Sequence, residues 1–286
     1  MLANSVNHSD SQPWRLSICL GLLVLVWAGL YLPRLGTEQL RFEEGRRALA
    51  AREMMESQSY FYQTVLGRAY LNKPPTFTWF IVGTSTIFGG MSEFSIRFPS
   101  VLATFLTALL VFFFDRGSLP RQSRLLAALI FLMTLMTVEK GALGEIEALL
   151  TLCIWLSVWA WWHGYQSNRL VWWILSGFGL GSAIALKGPA ALVFFYGTVI
   201  PFCWIQGRRR WLISIPHGLI VGLAVLLNGG WILPLFFLAD ADTILATWEG
   251  QILREGIRYN FLDWISNQGE FIFTALVSFL PGSVLF

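Results

Sequence analysis

Long apolar runs separated by short polar loops cover most of this chain. They span residues 16–33, 76–89, 94–114, 125–138, 148–162, 171–186, 189–205, 212–238 and 271–286. A helix needs about 20 residues to cross the hydrocarbon core of a bilayer, so most of these runs are long enough, some of them with help from their flanks. No small-residue cleavage site follows the first run, which therefore reads as an uncleaved first span. The pattern predicts an all-α, polytopic transmembrane helical bundle.

Composition supports a membrane protein and argues against several other classes. The 286 residues are 55% hydrophobic and 13% charged, whereas soluble domains carry roughly 25% charged residues. The net charge of +3 is too small to indicate a nucleic-acid partner. Cys19, Cys153 and Cys203 all lie in apolar runs without disulfide or zinc spacing, which indicates buried thiols. The three histidines are scattered and predict no His-based metal site.

Arginine-rich loops set the predicted orientation. Residues 115–124 and 207–211 each hold three arginines, Arg169 ends a third loop, and Arg15 precedes the first run. Short loops rich in Lys and Arg stay in the cytoplasm. All four fall on one side only if the run 76–89 does not cross, because a crossing there would separate Arg15 from the loop 115–124. We therefore expect the run 76–89 to lie at the outer interface.

This topology predicts where the remaining loops lie. Residues 1–15 form a cytoplasmic N-terminus, and residues 16–286 form the transmembrane domain. Within that domain residues 34–93 are one long outer segment, whose many arginines are offset by acids. Long outer segments obey the charge rule only weakly. Three further segments share the outer face, namely residues 138–147, 186–189 and 239–270.

The outer segment contains a helical pattern, "LRFEEGRRALAAREMMES" (40–57). Alanines and methionines give it one softer apolar face and charges fill the rest, so we expect an amphipathic helix along the membrane surface. The alternative is a solvated helix held by i,i+4 pairs such as Glu43 with Arg47. The position of Glu43 and Glu44, about ten residues beyond the first span, favours a site near a substrate headgroup.

A second group of charges is predicted on the same face. Glu145 and Glu147 stand at the start of an apolar run and, two residues apart, point in different directions on a helix. Ionisable residues at membrane depth are costly and usually functional or paired, although these two could simply end the span at the interface. Lys73 precedes two prolines, and Lys187 precedes a Gly-Pro helix stop. Either lysine alone could snorkel to the interface.

Together these charges predict a reaction. A carboxylate can act as general base on an acceptor hydroxyl, while lysine and arginine hold a phosphate leaving group. Because the site lies at a bilayer surface, the donor is expected to be a lipid phosphate. With a glycosyl donor, the transition state would resemble an oxocarbenium ion.

Five motifs occur in a characteristic order along the chain. They are "EEGRRALAAREMMES", "GRAYLNKPPTFTWF", "FGGMSEFSIRFPSVLA", "EIEALLTL" and "LKGPAAL". In this order they resemble the polyprenyl-phosphate-sugar glycosyltransferases of the membrane GT-C type, which include the aminoarabinose transferase acting on lipid A and bacterial relatives of protein O-mannosyltransferases. The likeness covers most of residues 30–286 and implies an active site on the outer face.

The resemblance implies roles for individual residues. The family's catalytic Asp falls on Glu43, followed by Glu44 and by Arg46, which would help to hold phosphate. The family's lysine before Pro-Pro, expected to meet the donor phosphate, falls on Lys73. Its second-loop acid falls on Glu147, which together with Glu44 would shape the catalytic site around Glu43. Its Lys-Gly-Pro motif falls on Lys187, which would also help to bind the phosphate.

The resemblance also implies partners and a location. The substrates would be a polyprenyl-phosphate sugar donor and a lipid or protein acceptor, in contact with membrane lipid at the inner membrane and with the site on the periplasmic side. The residue before this lysine is commonly Glu in relatives that bind a metal and is Asn72 here; a divalent metal remains an open alternative, no metal ligand is named, and no other cofactor is predicted.

Two other classes of function remain open at this point. The chain ends inside an apolar run, which predicts a fragment or half of a split gene, and a truncated homologue could be a non-catalytic scaffold. A transporter is the third class, but it predicts acids and helix breaks at mid-bilayer. The predicted topology places the acids at one face instead.

Overall fold

The computed structural model describes residues 15–71, 73–114 and 119–239, with six separate residues beyond (242, 244, 245, 249, 277 and 278). In this part of the chain the elements are α1 (Leu16–Tyr31), α2 (Phe42–Ser57), β1 (Thr64–Val65), β2 (Arg68–Ala69), α3 (Thr76–Ile87), α4 (Glu93–Phe113), α5 (Arg121–Met133), α6 (Leu135–Gly141), α7 (Ile146–Ser167), α8 (Leu170–Lys187), α9 (Ala190–Ile205) and α10 (Ile215–Leu238). The predicted outer segment 239–270 and the run 271–286 lie almost wholly outside the described residues. The architecture confirms the predicted all-α membrane bundle.

Five of the described helices are long and apolar enough to cross a membrane. They are α1 with its 3₁₀ extension to Arg34, α4, α7, α8 and α10. Helix α7 has 22 residues, because its flanks complete the short apolar run predicted there. Helix α9 is apolar but has only 16 residues. Helix α3, which carries the run 76–89, has 12 residues and is too short to span.

The run 125–138 differs from the expected single span. It forms α5 and α6, which meet at an angle of 61° and do not continue as one straight helix. Between them Thr134 leaves the helical conformation, with φ −59° and ψ 128°. Its hydroxyl donates to the carbonyl of Ile130 at 2.7 Å. The bend therefore has a local backbone cause that the apolar pattern does not reveal.

Hydrogen bonds establish the directions of the first helices. The Tyr31 hydroxyl donates to the carbonyl of Leu132 at 2.8 Å, so α1 and α5 end side by side and run parallel. The indole N–H of Trp27 donates to Val101 at 2.9 Å, and Arg97 reaches the carbonyl of Arg34. Helix α4 therefore begins where α1 ends and runs antiparallel to it.

The later helices alternate in the same way. The hydroxyls of Ser157 and Ser176 each donate to the other residue's carbonyl, across antiparallel α7 and α8. Asn228 donates to the carbonyl of Gly181 at 3.0 Å, across parallel α8 and α10. The starts of α5, α8 and α10 therefore lie with the ends of α4, α7 and α9.

The arginine-bearing loops consequently gather at one end of the bundle. Arg124 donates to the carbonyl of Phe112 at 3.2 Å, and the guanidinium of Arg208 lies 5.3 Å from the centre of the Tyr165 ring. We call the end formed by residues 121–124, 163–169 and 207–211 the basic end. Residues 34–44, 140–147 and 187 lie at the opposite end.

A glycine allows the close packing of α7 against α8, and it provides a test of the fold. A Cβ on Gly179 would lie 2.8 Å from the backbone nitrogen of Ser157, which cannot give way. Gly179→Ala is therefore expected to destabilise the protein by about 1–3 kcal/mol through overpacking. Gly222→Ala is the control, because a Cβ there meets nothing within 4 Å, and alanine favours a helix over glycine. Thermal unfolding in detergent measures both, and equal melting temperatures would contradict this packing.

Candidate active site

A buried ion pair lies at the centre of the end opposite the basic end. Glu44 and Arg97 are 0% and 1% exposed, and they form a two-pronged contact, Nε to Oε1 at 2.8 Å and Nη2 to Oε2 at 3.0 Å. Glu44 also accepts hydrogen bonds from the backbone N–H groups of Arg41 at 2.9 Å and Gly144 at 2.7 Å. A single carboxylate therefore joins α2, α4 and the turn before α7.

Arg97 extends the same network to the end of α1. Its Nη1 and Nη2 also donate to carbonyl groups of the connecting segment, those of Arg34, Leu35, Glu38 and Gln39. Burial by itself would raise the pKa of Glu44, but the hydrogen bonds from Arg97 and from the two backbone N–H groups hold that pKa below its usual value. Glu44 is therefore a charged group whose oxygens are already occupied by protein donors.

Glu43 is placed quite differently from Glu44. Its side chain is 46% exposed and forms an ion pair with Arg46 at 3.1 Å, and not with Arg47, the i,i+4 partner in the alternative of a solvated helix. Arg47 is instead buried against the ring of Tyr70. Helix α2 thus separates its two acids, one into the protein interior and the other toward the open side where a substrate can approach.

The β1–β2 hairpin connects α2 to the segment with Lys73. Glu53 of α2 accepts hydrogen bonds from the backbone N–H groups of Leu66 at 2.5 Å and Gly67 at 3.3 Å, and from the hydroxyl of Thr64. The hydrogen bond from Thr64 is the main reason why the pKa of Glu53 lies below its usual value. The apolar pattern of the sequence gives no information about these hydrogen bonds, so the hairpin was not predicted.

Gln63 positions Lys73 directly. This side chain is 1% exposed; its Nε2 donates to the backbone carbonyl of Lys73 at 2.9 Å, and its Oε1 accepts from the hydroxyl of Thr78 at 2.6 Å. Lys73 is half-buried. Its backbone is therefore anchored, while no carboxylate lies within ion-pair distance of its ammonium group among the described residues.

The second predicted cluster forms two ion pairs. Glu147 contacts Lys187 at 3.1 Å, and Glu145 contacts Lys140 at 3.0 Å. Different partners for the two acids agree with the expectation that they point apart at the start of α7. Glu147 and Lys187 are 40% and 34% exposed, so their pair remains open to water or to a ligand.

The exposure of the Glu147–Lys187 pair predicts a small effect on stability. Partly exposed ion pairs contribute little, so Glu147→Gln should change the free energy of unfolding by less than about 1 kcal/mol. Thermal unfolding of the purified protein measures this. A loss of stability as large as that of a Glu44→Gln variant would show that the pair is structural.

One apolar cluster lies beneath all of these side chains. It combines residues of six helices: Ala48 and Ala51 of α2, Phe77 and Ile81 of α3, Ile96 and Ala103 of α4, Ile146, Ala148, Leu149 and Leu150 of α7, Ala183 and Leu186 of α8, and Ala191 of α9. The structure therefore brings Glu43, Glu44, Arg46, Lys73, Glu147 and Lys187 to the same end of the bundle. Their catalytic and binding roles stay predictions.

The donor set for a metal is poor in this part of the chain. Among residues 15–71, 73–114 and 119–239, no three His, Cys, Asp or Glu side chains converge on a point where a metal ion could bind. Asn72, the position that is Glu in metal-binding relatives, lies outside the described residues.

Arg97 was not singled out from the sequence, although it lies within a quoted motif. The available signal was an arginine near the start of an otherwise apolar run, since a charge at that depth needs a partner. Lys140 and Gln63 were also missed. Gln63 carries no such signal, because a polar residue in a loop gives no sign that it will be buried.

Sequence comparison finds a family match and several similar relatives. Residues 72–231 match the family described as dolichyl-phosphate-mannose-protein mannosyltransferase. The undecaprenyl phosphate-alpha-4-amino-4-deoxy-L-arabinose arabinosyl transferase of Edwardsiella ictaluri is 32% identical over 198 residues, which cover 67% of this chain and 35% of that protein. A transferase of the same name, numbered 1, from Sodalis glossinidius is 34% identical over 226 residues, covering 76% and 39%. The chain thus spans less than half the length of these relatives.

Solved structures share the fold. ArnT from Cupriavidus metallidurans bound to undecaprenyl phosphate superposes with a TM-score of 0.65 at 19% identity, over 79% of this chain and 42% of that one. The archaeal oligosaccharyltransferase AglB from Archaeoglobus fulgidus, in complex with an inhibitory peptide and a dolichol-phosphate, gives 0.53 at 12% identity, over 93% and 37%. Since the family match covers more than half of its residues, this chain belongs to the dolichyl-phosphate-mannose-protein mannosyltransferase family, with the GT-C membrane fold.

Proposed function

We propose that this protein transfers a sugar from a polyprenyl-phosphate donor to a hydroxyl group of a lipid or protein acceptor. The observation that carries the proposal is the placement of Glu43, an accessible carboxylate next to the buried Glu44–Arg97 pair, at the same end as the anchored Lys73. Relatives named as undecaprenyl-phosphate arabinosyl transferases support a lipid-phosphate donor and the transfer of a pentose.

The proposed reaction is a single displacement with inversion at the sugar. Glu43 accepts the proton of the acceptor hydroxyl, whose oxygen forms the new bond to the anomeric carbon. The bond between that carbon and the phosphate oxygen breaks, and its electron pair leaves with the polyprenyl phosphate. Lys73 and Arg46 stabilise the charge on this leaving group. Holding both substrates at one end of the bundle supplies the orientation that such a displacement needs.

The remaining predicted residues have supporting roles in this proposal. Glu44 fixes the start of α2, and with it the position of Glu43, through Arg97. Glu147 and Lys187 lie at the ends of α7 and α8, where their exposed pair can exchange its mutual contact for contacts to a substrate phosphate or hydroxyl. Catalysis itself is assigned to Glu43.

The proposed location is the inner membrane, with the site on its periplasmic side. The positive charge of the basic end supports this orientation, because short arginine-rich loops stay in the cytoplasm. Single cysteines at positions 43, 73, 147 and 208 test it with an impermeant thiol reagent on intact spheroplasts. The first three should be labelled and the fourth protected, and labelling of positions 73 and 208 from the same side would refute the topology.

Mass analysis of the cell envelope tests the function itself. A strain lacking the gene should lose one sugar of defined mass from a lipid or glycoprotein, and a plasmid copy of the whole gene should restore it. The identity of the lost group would name both the donor sugar and the acceptor. An unchanged set of envelope lipids and glycoproteins would instead favour the alternative, a non-catalytic homologue acting as a scaffold.

A further inference from the structure

A second buried arginine at this end has no evident protein partner. Arg47 of α2 is 5% exposed, and its guanidinium lies 5.7 Å from the centre of the Tyr70 ring. Its Nη1 is fully buried and has no hydrogen-bond partner among the described residues. Arg97, which is equally buried, instead bonds to a carboxylate and to several carbonyl groups.

Such an arginine is costly unless something else binds it. A guanidinium cannot lose its proton inside a protein, so burial does not neutralise it. A buried charge without a partner destabilises a protein strongly, and the face of a single tyrosine ring compensates only in part. A guanidinium of this kind is suited to binding an anion at this site.

The surroundings of Arg47 show which anion fits. Tyr70 lies three residues before Lys73, and its backbone N–H donates to the carbonyl of Gln63 at 2.8 Å. The Gln63 side chain in turn donates to the carbonyl of Lys73 at 2.9 Å. Tyr70 and Lys73 thus belong to one anchored segment, which carries the Lys73 side chain and packs its Tyr70 ring against the guanidinium of Arg47.

We propose that Arg47 binds the phosphate of the polyprenyl-phosphate lipid next to Lys73. This inference rests on the proposed function and adds a residue to its donor site. The planar guanidinium offers paired N–H donors that match phosphate oxygens, which a lysine cannot supply. The ring of Tyr70 packs against the guanidinium and helps to orient it.

Binding of undecaprenyl phosphate to the purified protein in detergent tests the inference. Arg47→Met should weaken binding by about 10- to 100-fold, because a charge-assisted pair of hydrogen bonds is lost. Binding of undecaprenol, which has no phosphate, should not change. Arg47→Lys keeps the charge without the planar fork and should bind with intermediate affinity. Arg52→Met, at an exposed position of the same helix, is the matched control.

Thermal stability separates a ligand-binding role from a structural one. Without ligand, Arg47→Met should melt at a higher temperature than the natural protein, because it removes a buried unpaired charge while keeping similar volume. The increase in melting temperature caused by undecaprenyl phosphate should be lost in the same variant. A lower melting temperature without ligand, together with unchanged lipid binding, would overturn the inference.

Lipid binding by the natural protein separates an error in the proposed donor from an error in the role of Arg47. If the natural protein does not bind undecaprenyl phosphate, the proposed donor is wrong and this inference falls with it. If the natural protein binds the lipid and Arg47→Met binds it equally well, only the inference falls. If inorganic phosphate at the same concentration raises the melting temperature of the natural protein as much as undecaprenyl phosphate does, the assignment to a lipid headgroup is wrong.

Discussion

Glu43→Gln is expected to reduce sugar transfer by about 10²- to 10⁴-fold, the contribution typical of a general base. Glutamine keeps the size of the side chain but cannot take the proton of the acceptor hydroxyl. Because Glu43 is half-exposed and its ion pair with Arg46 lies at the surface, the amount of folded protein should not change. Transfer is measured with the whole gene product, by mass analysis of the modified acceptor in cells that express the variant.

Two companion variants make this result specific. Glu56→Gln removes an exposed carboxylate from the same helix and should leave transfer unchanged. Glu43→Asp restores the residue that the resembled family has at this position and should keep much of the activity. Normal modification by Glu43→Gln at the normal protein level would exclude Glu43 as the base and leave the family fold without this active site.

The membrane architecture could be predicted from the sequence because the hydrophobic pattern acts over whole helices. Counting arginine-bearing loops was enough to predict that the run 76–89 does not span, and α3 is indeed too short. The break at Thr134 could not be predicted, since it depends on one backbone angle within an apolar run. The β1–β2 hairpin was missed because its two-residue strands are held by Glu53, which lies in another element.

The site was predicted in composition but not in detail. Adjacent acids on a helix must point in different directions, yet the sequence does not show which one faces the interior. The answer depends on Arg97, which is 53 positions from Glu44 along the chain. The pair of Glu43 with Arg47, which belonged to the alternative of a solvated helix, does not form for a similar reason, because Tyr70 packs against Arg47 from a segment beyond the helix.

The same comparison separates stability from chemistry within the pair of acids. Glu44 makes its contacts inside the protein, so its loss should be detected as unfolding. The ion pair of Glu43 lies at the surface, so removal of the Glu43 carboxylate should be detected as reduced transfer. A sequence motif that joins these two residues therefore combines a structural constraint with a chemical one, and only measurements on both properties can separate them.

Breaking the buried ion pair should have the largest effect on stability. Arg97→Met leaves Glu44 charged and without its main partner in the protein interior, and a change of this kind costs about 3–5 kcal/mol. The carbonyl groups of the segment between α1 and α2 also lose their donor. Chemical or thermal unfolding in detergent measures the loss, with Glu147→Gln as the control at an exposed pair.

Acid should reveal the same interaction through Glu44. The hydrogen bonds from Arg97 and the backbone hold its pKa below the ordinary value in the folded protein, so its contribution to stability is complete above the ordinary, unfolded-state pKa and is lost as the pH falls through the lower, folded-state pKa. Arg97 stays charged throughout. Glu44→Gln should therefore be less stable at neutral pH and should lose part of the decline in stability that the natural protein shows in acid. Stability is measured between about pH 6 and about pH 3, a range that covers the ordinary carboxyl pKa values. If the natural protein and Glu44→Gln lose the same amount of stability over this range, then this ion pair does not hold the candidate site together.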